Sequence, residues 1–306
     1  MSIVLRARVV SASLQFRHLR RMAGATALGL SLLCGSGVAQ ADSHLEQTYA
    51  ERAFVLAAHQ RCDLFGEAVA QALGAALMQT RGALLRAGYE TGQVRALAQQ
   101  SQQRAGTTAC GDPALAQVTG RVENAFGLWA RAARINFPAR GAGWAVDRFR
   151  GTNTGWRLAQ TTQVGASPVR FGLAGPSPDA VQPVAVVSFV GRARPYAARI
   201  VMRDSTVVPR PLIGRGSVAD VPPPSGRKQV FAARQAEAPK SLLAADRKQG
   251  EAWTFDAAAL SALEQLDPRE TFWIEFLFRD DTVARAQMEV GDLTAARTFL
   301  SMGPVR

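Results

Sequence analysis

An α+β fold is predicted, with a disulfide-clipped antiparallel helical array first and an antiparallel β-rich, sandwich-like domain with a short C-terminal helix after it. Three observations predict it. From residue 44 to residue 138 apolar side chains recur at steps of three and four, the period of a helical face. After Gly141 that texture gives way to short β-rich runs separated by Gly, Pro, Asp and Asn. Beyond residue 41 the chain keeps two cysteines, Cys62 and Cys110, both in the helical part.

Ahead of these elements stands a leader, residues 1–41. Arg17, Arg20 and Arg21 form a basic region, Ala23 to Leu33 an apolar run too short to span a membrane, and Ala39-Gln40-Ala41 a small-residue cleavage motif. Cleavage is expected between Ala41 and Asp42, which makes the mature chain periplasmic or secreted. Lipidation at Cys34 is the weaker reading, because bulky Leu33 precedes it. In an oxidising compartment an even pair of thiols becomes a disulfide, so Cys62 and Cys110 are expected to join. The bridge would close a long loop, stabilising by roughly 4 kcal/mol in the chain-entropy account.

The mature chain divides into a helical domain, 42–138, and a β-rich domain, 139–306. Phe54, Ala58, Cys62, Phe65, Val69, Leu73 and Leu77 outline a long first helical stretch to about Arg86, broken once. Gly66, Ala70, Gly74 and Gly82 form a row of small residues suited to close helix packing. After a turn at Gly88–Gly92, Gln93 to Arg104 continues as a polar helix. Asp112 and Pro113 then supply the cap and first position of another, whose face is Leu115, Val118, Val122, Phe126 and Trp129 and whose end is expected near Pro138. Strands are expected at 169–173, 184–190, 198–202, 230–233, 272–278 and 284–290, the last two as a hairpin. Asp256 is expected to cap a short helix to Leu266, and Asp292 a final one through Leu300. Val221 to Gly226, rich in proline, reads as extended and exposed.

The chain has a formal net charge of +12, of which five positive charges lie in the leader and +7 remains beyond it. Lysine occurs only at Lys228, Lys240 and Lys248, so the cations are overwhelmingly arginine. A GC-rich genome favours that composition. A guanidinium fork also pairs with phosphate or carboxylate in a bidentate way.

Motifs for chemistry are sparse. There is no GxSxG elbow, P-loop, dinucleotide fingerprint or CxxC pair, and only His44 and His59 follow the leader. His59, Cys62 and Asp63 lie close in sequence, but a bridged Cys62 is lost as a metal ligand. No catalytic residue, metal or cofactor is therefore assigned. The strongest functional signal runs from Arg121 to Arg157, where seven arginines face only Glu123 and Asp147 and are interleaved with Trp129, Trp144 and Trp156. Arginine suits phosphate, and tryptophan offers a plate for stacking. Arg131, Arg134, Trp144, Arg148, Arg150 and Trp156 are the expected contact surface, and replacing the four arginines of that set by glutamine is expected to weaken binding without unfolding. A second basic run comprises Arg192, Arg194, Arg199, Arg203, Arg210 and Arg215.

The reading reached is a non-catalytic exported cell-envelope protein that binds an anionic envelope polymer or a partner protein. A periplasmic hydrolase with an unrecognised site and an assembly subunit or chaperone are the alternatives. No integral membrane segment is expected in the mature chain, specific nucleic-acid binding is not, and nothing in the sequence sets an oligomeric state.

Overall fold

The structure is a computed structural model that describes residues 36–305 apart from 192, 214–218 and 220; of residues 36–42 the backbone alone is described. The apolar run of the leader, Cys34, Arg192 and Arg215 lie outside the described residues. Among the described residues four helices come first, α1 (Ser36–Cys62), α2 (Glu67–Arg86), α3 (Thr91–Thr107) and α4 (Pro113–Arg131). The single break expected in the first stretch falls after Cys62, where Asp63 adopts φ 49°, left-handed backbone that a polar Asp tolerates. Cys62 and Cys110 are bridged across 48 positions, which ties the end of α1 to the turn before α4. Asp112 caps α4 by accepting from Ala114 N at 2.8 Å, with Pro113 at the first position.

Two antiparallel sheets follow. The first has seven strands in the order β1-β2-β3-β4-β5-β9-β8, from β1 (Arg134–Phe137), β2 (Trp144–Asp147), β3 (Gly155–Val164), β4 (Ser167–Ser177), β5 (Ala180–Val187), β8 (Arg234–Glu237) and β9 (Glu251–Thr254). The second has four, β11-β10-β6-β7, from β6 (Ala197–Arg203), β7 (Arg227–Phe231), β10 (Thr271–Leu277) and β11 (Val283–Glu289). Their inner faces share one core, in which Phe137, Trp144, Leu158 and Phe171 of the first sheet meet Ile200, Phe272, Phe276 and Met288 of the second. Gln160, buried in β3, stitches the layers: its amide donates to Glu289 O at 3.0 Å and accepts from Glu289 N at 2.8 Å. The hairpin of β10 and β11 forms as expected. So does the helix after Asp256, α5 (Ala257–Glu264), whose cap accepts from Ala258 N at 2.9 Å.

The helices do not stand apart from the sheets. Trp129 of α4 makes edge contacts with Phe126, with Phe137 of β1 and with Phe299 of the last helix, α6 (Leu293–Ser301). Arg86, at the end of α2, forms a bidentate pair with the buried Asp292 at 2.7 and 2.9 Å. Gly82 is what admits that carboxylate, because a Cβ there would sit 1.9 Å from Asp292 Oδ1. The small-residue row thus matters at one position, against α6, and Gly74 of the same row has open space around it.

Four expectations are corrected. Helix α4 ends at Arg131, not near Pro138, because Ile135 and Phe137 turn inward alternately as a strand. Asp292 precedes α6 but makes no capping hydrogen bond, its oxygens being taken by Arg86. The proline run is exposed at Pro223 to Ser225 as expected, but it closes in a short 3-10 turn, Pro224–Gly226, and is buried at Val221, Pro222 and Gly226. Strands β1, β2, β3, β8 and β9 were not expected from the pattern, being short or rich in Gln, Thr and Arg. Among the described residues no helix is long and apolar enough to cross a membrane.

Candidate functional site

The arginines and tryptophans of 121–157 separate into two groups on folding. Trp144 is fully buried and donates its indole N–H to Val290 O at 2.8 Å, so it belongs to the core. Arg148 is also buried. It donates to Gly303 O at 2.8 Å, Ala130 O at 3.1 Å, Ala132 O at 3.3 Å and Met302 O at 3.4 Å, and lies over the Phe299 ring. It thereby serves the carboxyl ends of both α4 and α6, where backbone oxygens lack helical partners and the dipole favours a cation. Arg157 is buried on the carbonyls of Phe149, Gly175 and Pro176. The contact surface expected from sequence therefore loses Trp144 and Arg148 to packing, and glutamine at Arg148 is a folding change as well as a charge change.

The others stay at the surface. Arg131 is exposed at the end of α4, Arg150 reaches Asp179 at 3.5 Å, and Arg134 pairs with Asp147 at 2.9 Å while lying over Phe149. Strand register explains how Trp156 joins them. Between Trp156 and Leu158 the pairing with β4 slips by one residue, leaving Arg157 unpaired, so Leu158 points into the core and Trp156 shares the outer face with Ala174. The segment between β8 and β9 then folds over part of that face. Trp156 Nε1 donates to Leu242 O at 3.0 Å and Ser241 Oγ to Thr154 O at 2.6 Å. What stays open is a shallow groove of about 370 Å³ over β1 to β4, floored by Ala145 and walled by Arg134, Asp147, Trp156 and Arg170.

Arg170 gives the groove its character. Its guanidinium lies 5.1 Å above the Trp156 ring, its Nε is buried without a hydrogen-bond partner, and among the described residues no carboxylate pairs with it. Burial pushes its pKa below the usual guanidinium value. A half-buried cation without a carboxylate partner is stabilised by an arriving anion. Sequence reading passed over Arg170 because it lies outside the arginine-rich stretch, on an apolar strand; its alternation with inward Val169 and Phe171 is the signal that places it on the outer face.

The second basic run disperses. Arg199 is committed to Glu275 at 2.6 Å, and Arg203 to the buried Glu270 at 2.6 Å. Arg194 hangs over a separate cleft of about 560 Å³ at the β8 edge of the first sheet, 3.5 Å from Glu251. Burial pushes the Glu251 carboxyl above the usual range, and Arg194, Gln235 and Trp253 pull it partly back. Among the described residues neither Glu251 oxygen nor Trp253 Nε1 finds a hydrogen-bond partner of good geometry. Glu237, directly opposite Glu251 in the ladder, lines the same cleft. His59 stacks on Phe65 at 4.3 Å, and among the described residues no group of three His, Cys, Asp or Glu converges as a metal site.

Compared with protein-family models, curated proteins and solved structures, the chain matches none.

Proposed function

We propose that this is a non-catalytic exported envelope protein that binds an anionic envelope polymer in the groove between Arg134, Trp156 and Arg170, with Arg131 and Arg150 at hand on the surface. One observation carries the reading: the half-buried Arg170 guanidinium lies over the Trp156 ring in an open groove and, among the described residues, has no carboxylate partner. Phosphate or carboxylate fits that fork, and a sugar ring fits beside the indole. Export rests on the leader and on the Cys62–Cys110 bridge, a bond typical of oxidising compartments. Cleavage between Ala41 and Asp42 would remove residues 36–41 from α1 and keep Tyr49, the first buried position among the α1 residues whose side chains are described.

The test is retention of residues 42–306 on peptidoglycan and on immobilised, acyl-free lipopolysaccharide core oligosaccharide across a salt series, beside an equally basic control protein. Retention above the control, falling as salt rises, is expected. The Arg134→Gln, Arg170→Gln double variant should lose about tenfold in affinity. Retention equal to the control removes the proposal.

A second reading, hydrolysis of an envelope substrate, is favoured by the Glu251 cleft, where a buried carboxyl with a raised pKa has the character of a general acid. Turnover of peptidoglycan that Glu251→Gln abolishes supports it; binding without turnover returns the account to the groove.

A further inference from the structure

We infer a second binding site, in the helical array, for a single-chain anionic amphiphile. Helices α1 and α4 both pack on α2 without forming a packed pair with each other, which leaves a groove of about 410 Å³ between them. The Cys62–Cys110 bridge and the cluster of Ala58, Ala105 and Leu115 draw the two helices together at one end. Away from that end the groove is apolar: Phe54 and Val55 form one wall, Val122 and Phe126 the other, and Leu73 of α2 the floor.

Three arginines edge this apolar surface against one acid, Glu51. Arg52 is largely buried, donating to Ala76 O at 2.9 Å and to Thr80 Oγ1, and lies over the Phe126 ring. Burial pushes its pKa down. Arg104 lies 4.5 Å over the Phe54 ring, and Arg121 is exposed on α4. Among the described residues none of the three has a salt-bridge partner. A greasy slot with a net positive rim complements a molecule with one alkyl chain and one anionic head. Its volume falls in the range of small-molecule sites rather than that of a groove for a whole helix. Alkyl methylenes would cover the phenyl and valine walls, and a phosphate or carboxylate head would meet the guanidinium groups.

The experiment is titration calorimetry of residues 42–306 with dodecyl phosphate, octyl phosphate and dodecyltrimethylammonium, each below its micelle concentration. Dodecyl phosphate is expected to bind one to one. Octyl phosphate should bind much more weakly, since each buried methylene is worth about fourfold in affinity. The ammonium should bind at least about tenfold more weakly than dodecyl phosphate, because it meets like charge. Arg104→Glu with Arg121→Glu changes two exposed positions, should lower the thermal midpoint by no more than about 8 °C through the lost Phe54 contact and the helix dipole, and should cost at least about tenfold for dodecyl phosphate. Val122→Trp should block the chain, but the charge variant carries the test if that one fails to fold. The Arg134→Gln, Arg170→Gln variant should bind dodecyl phosphate normally, which separates this site from the sheet groove. Equal binding of the anionic and cationic amphiphiles overturns the inference, as does unchanged affinity in the charge variant or no binding at all.

Discussion

Arg148→Gln is predicted to destabilise the protein while Arg134→Gln leaves it almost untouched, although both residues belong to one arginine-rich stretch. Arg148 is 4% exposed and its guanidinium donates to four backbone carbonyls at the ends of α4 and α6. The two shortest bonds, at 2.8 and 3.1 Å, dominate. Hydrogen bonds to a charged group are worth about 1.5–3 kcal/mol each, so losing these two, with partial rescue by the glutamine amide, costs about 3–5 kcal/mol. Loss of the contact over Phe299 adds to this. At about 2–4 °C per kcal/mol for a chain of this size, the thermal midpoint falls by roughly 6–20 °C. Arg134 is a surface partner of Asp147, its side chain 69% exposed, and its loss should stay within about 0.5 kcal/mol. Calorimetric melting of both variants at pH 7 decides the matter. Equal midpoints for Arg148→Gln and the parent refute the assignment of Arg148 to the helix ends.

Three further outcomes are expected. Arg86→Met should cost about 3–5 kcal/mol at pH 7, because it strands the buried Asp292 carboxylate, whereas Asp292→Asn should cost under about 1 kcal/mol. Burial already raises the Asp292 pKa despite Arg86, so its favourable contribution is complete below the unfolded carboxylate pKa and fades as pH rises through the folded one; melting of both variants from pH 3 to pH 8 checks the asymmetry. Glu275 is buried, which pushes its pKa up, but Arg285 and Arg199 outweigh this and hold it below the usual range. Its stability is present above the unfolded pKa and lost as pH falls through the folded one, so Glu275→Gln should cost about 2–3 kcal/mol at pH 7 and flatten the acid limb of a pH–stability curve. Reducing the Cys62–Cys110 bridge should lower stability by up to about 4 kcal/mol, with hydrogen exchange accelerating first in α1 and the start of α4 rather than in the sheets.

The order of helices, the disulfide and the antiparallel core strands were legible because each leaves a local trace: a period of three to four, an even thiol pair, runs of Val, Ile and Phe. Strand β3 was not, because its residues earn their places through partners far away in sequence. Gln160 is buried only because the backbone of Glu289 faces it, and Arg157 only because Gly175 and Pro176 turn their carbonyls toward it. The same cause divided the candidate site. Charge density pointed to residues 121–157, but the fates of Arg148 and Arg134 depend on whether helix ends or solvent surround them. Arg170, with little to mark it in sequence, became the centre of the groove through a one-residue slip that set Trp156 beneath it.

The central claim is that a built groove, rather than basic composition, binds the anion. Titration of acyl-free lipopolysaccharide core oligosaccharide into three proteins tests it most directly: the parent, Arg134→Gln with Arg170→Gln, and Arg95→Gln with Arg234→Gln, which removes the same charge from exposed positions elsewhere. The groove account predicts a loss of about tenfold or more in the first variant and near-parental affinity in the second. Equal weakening in both variants would contradict it and reduce the binding to net charge.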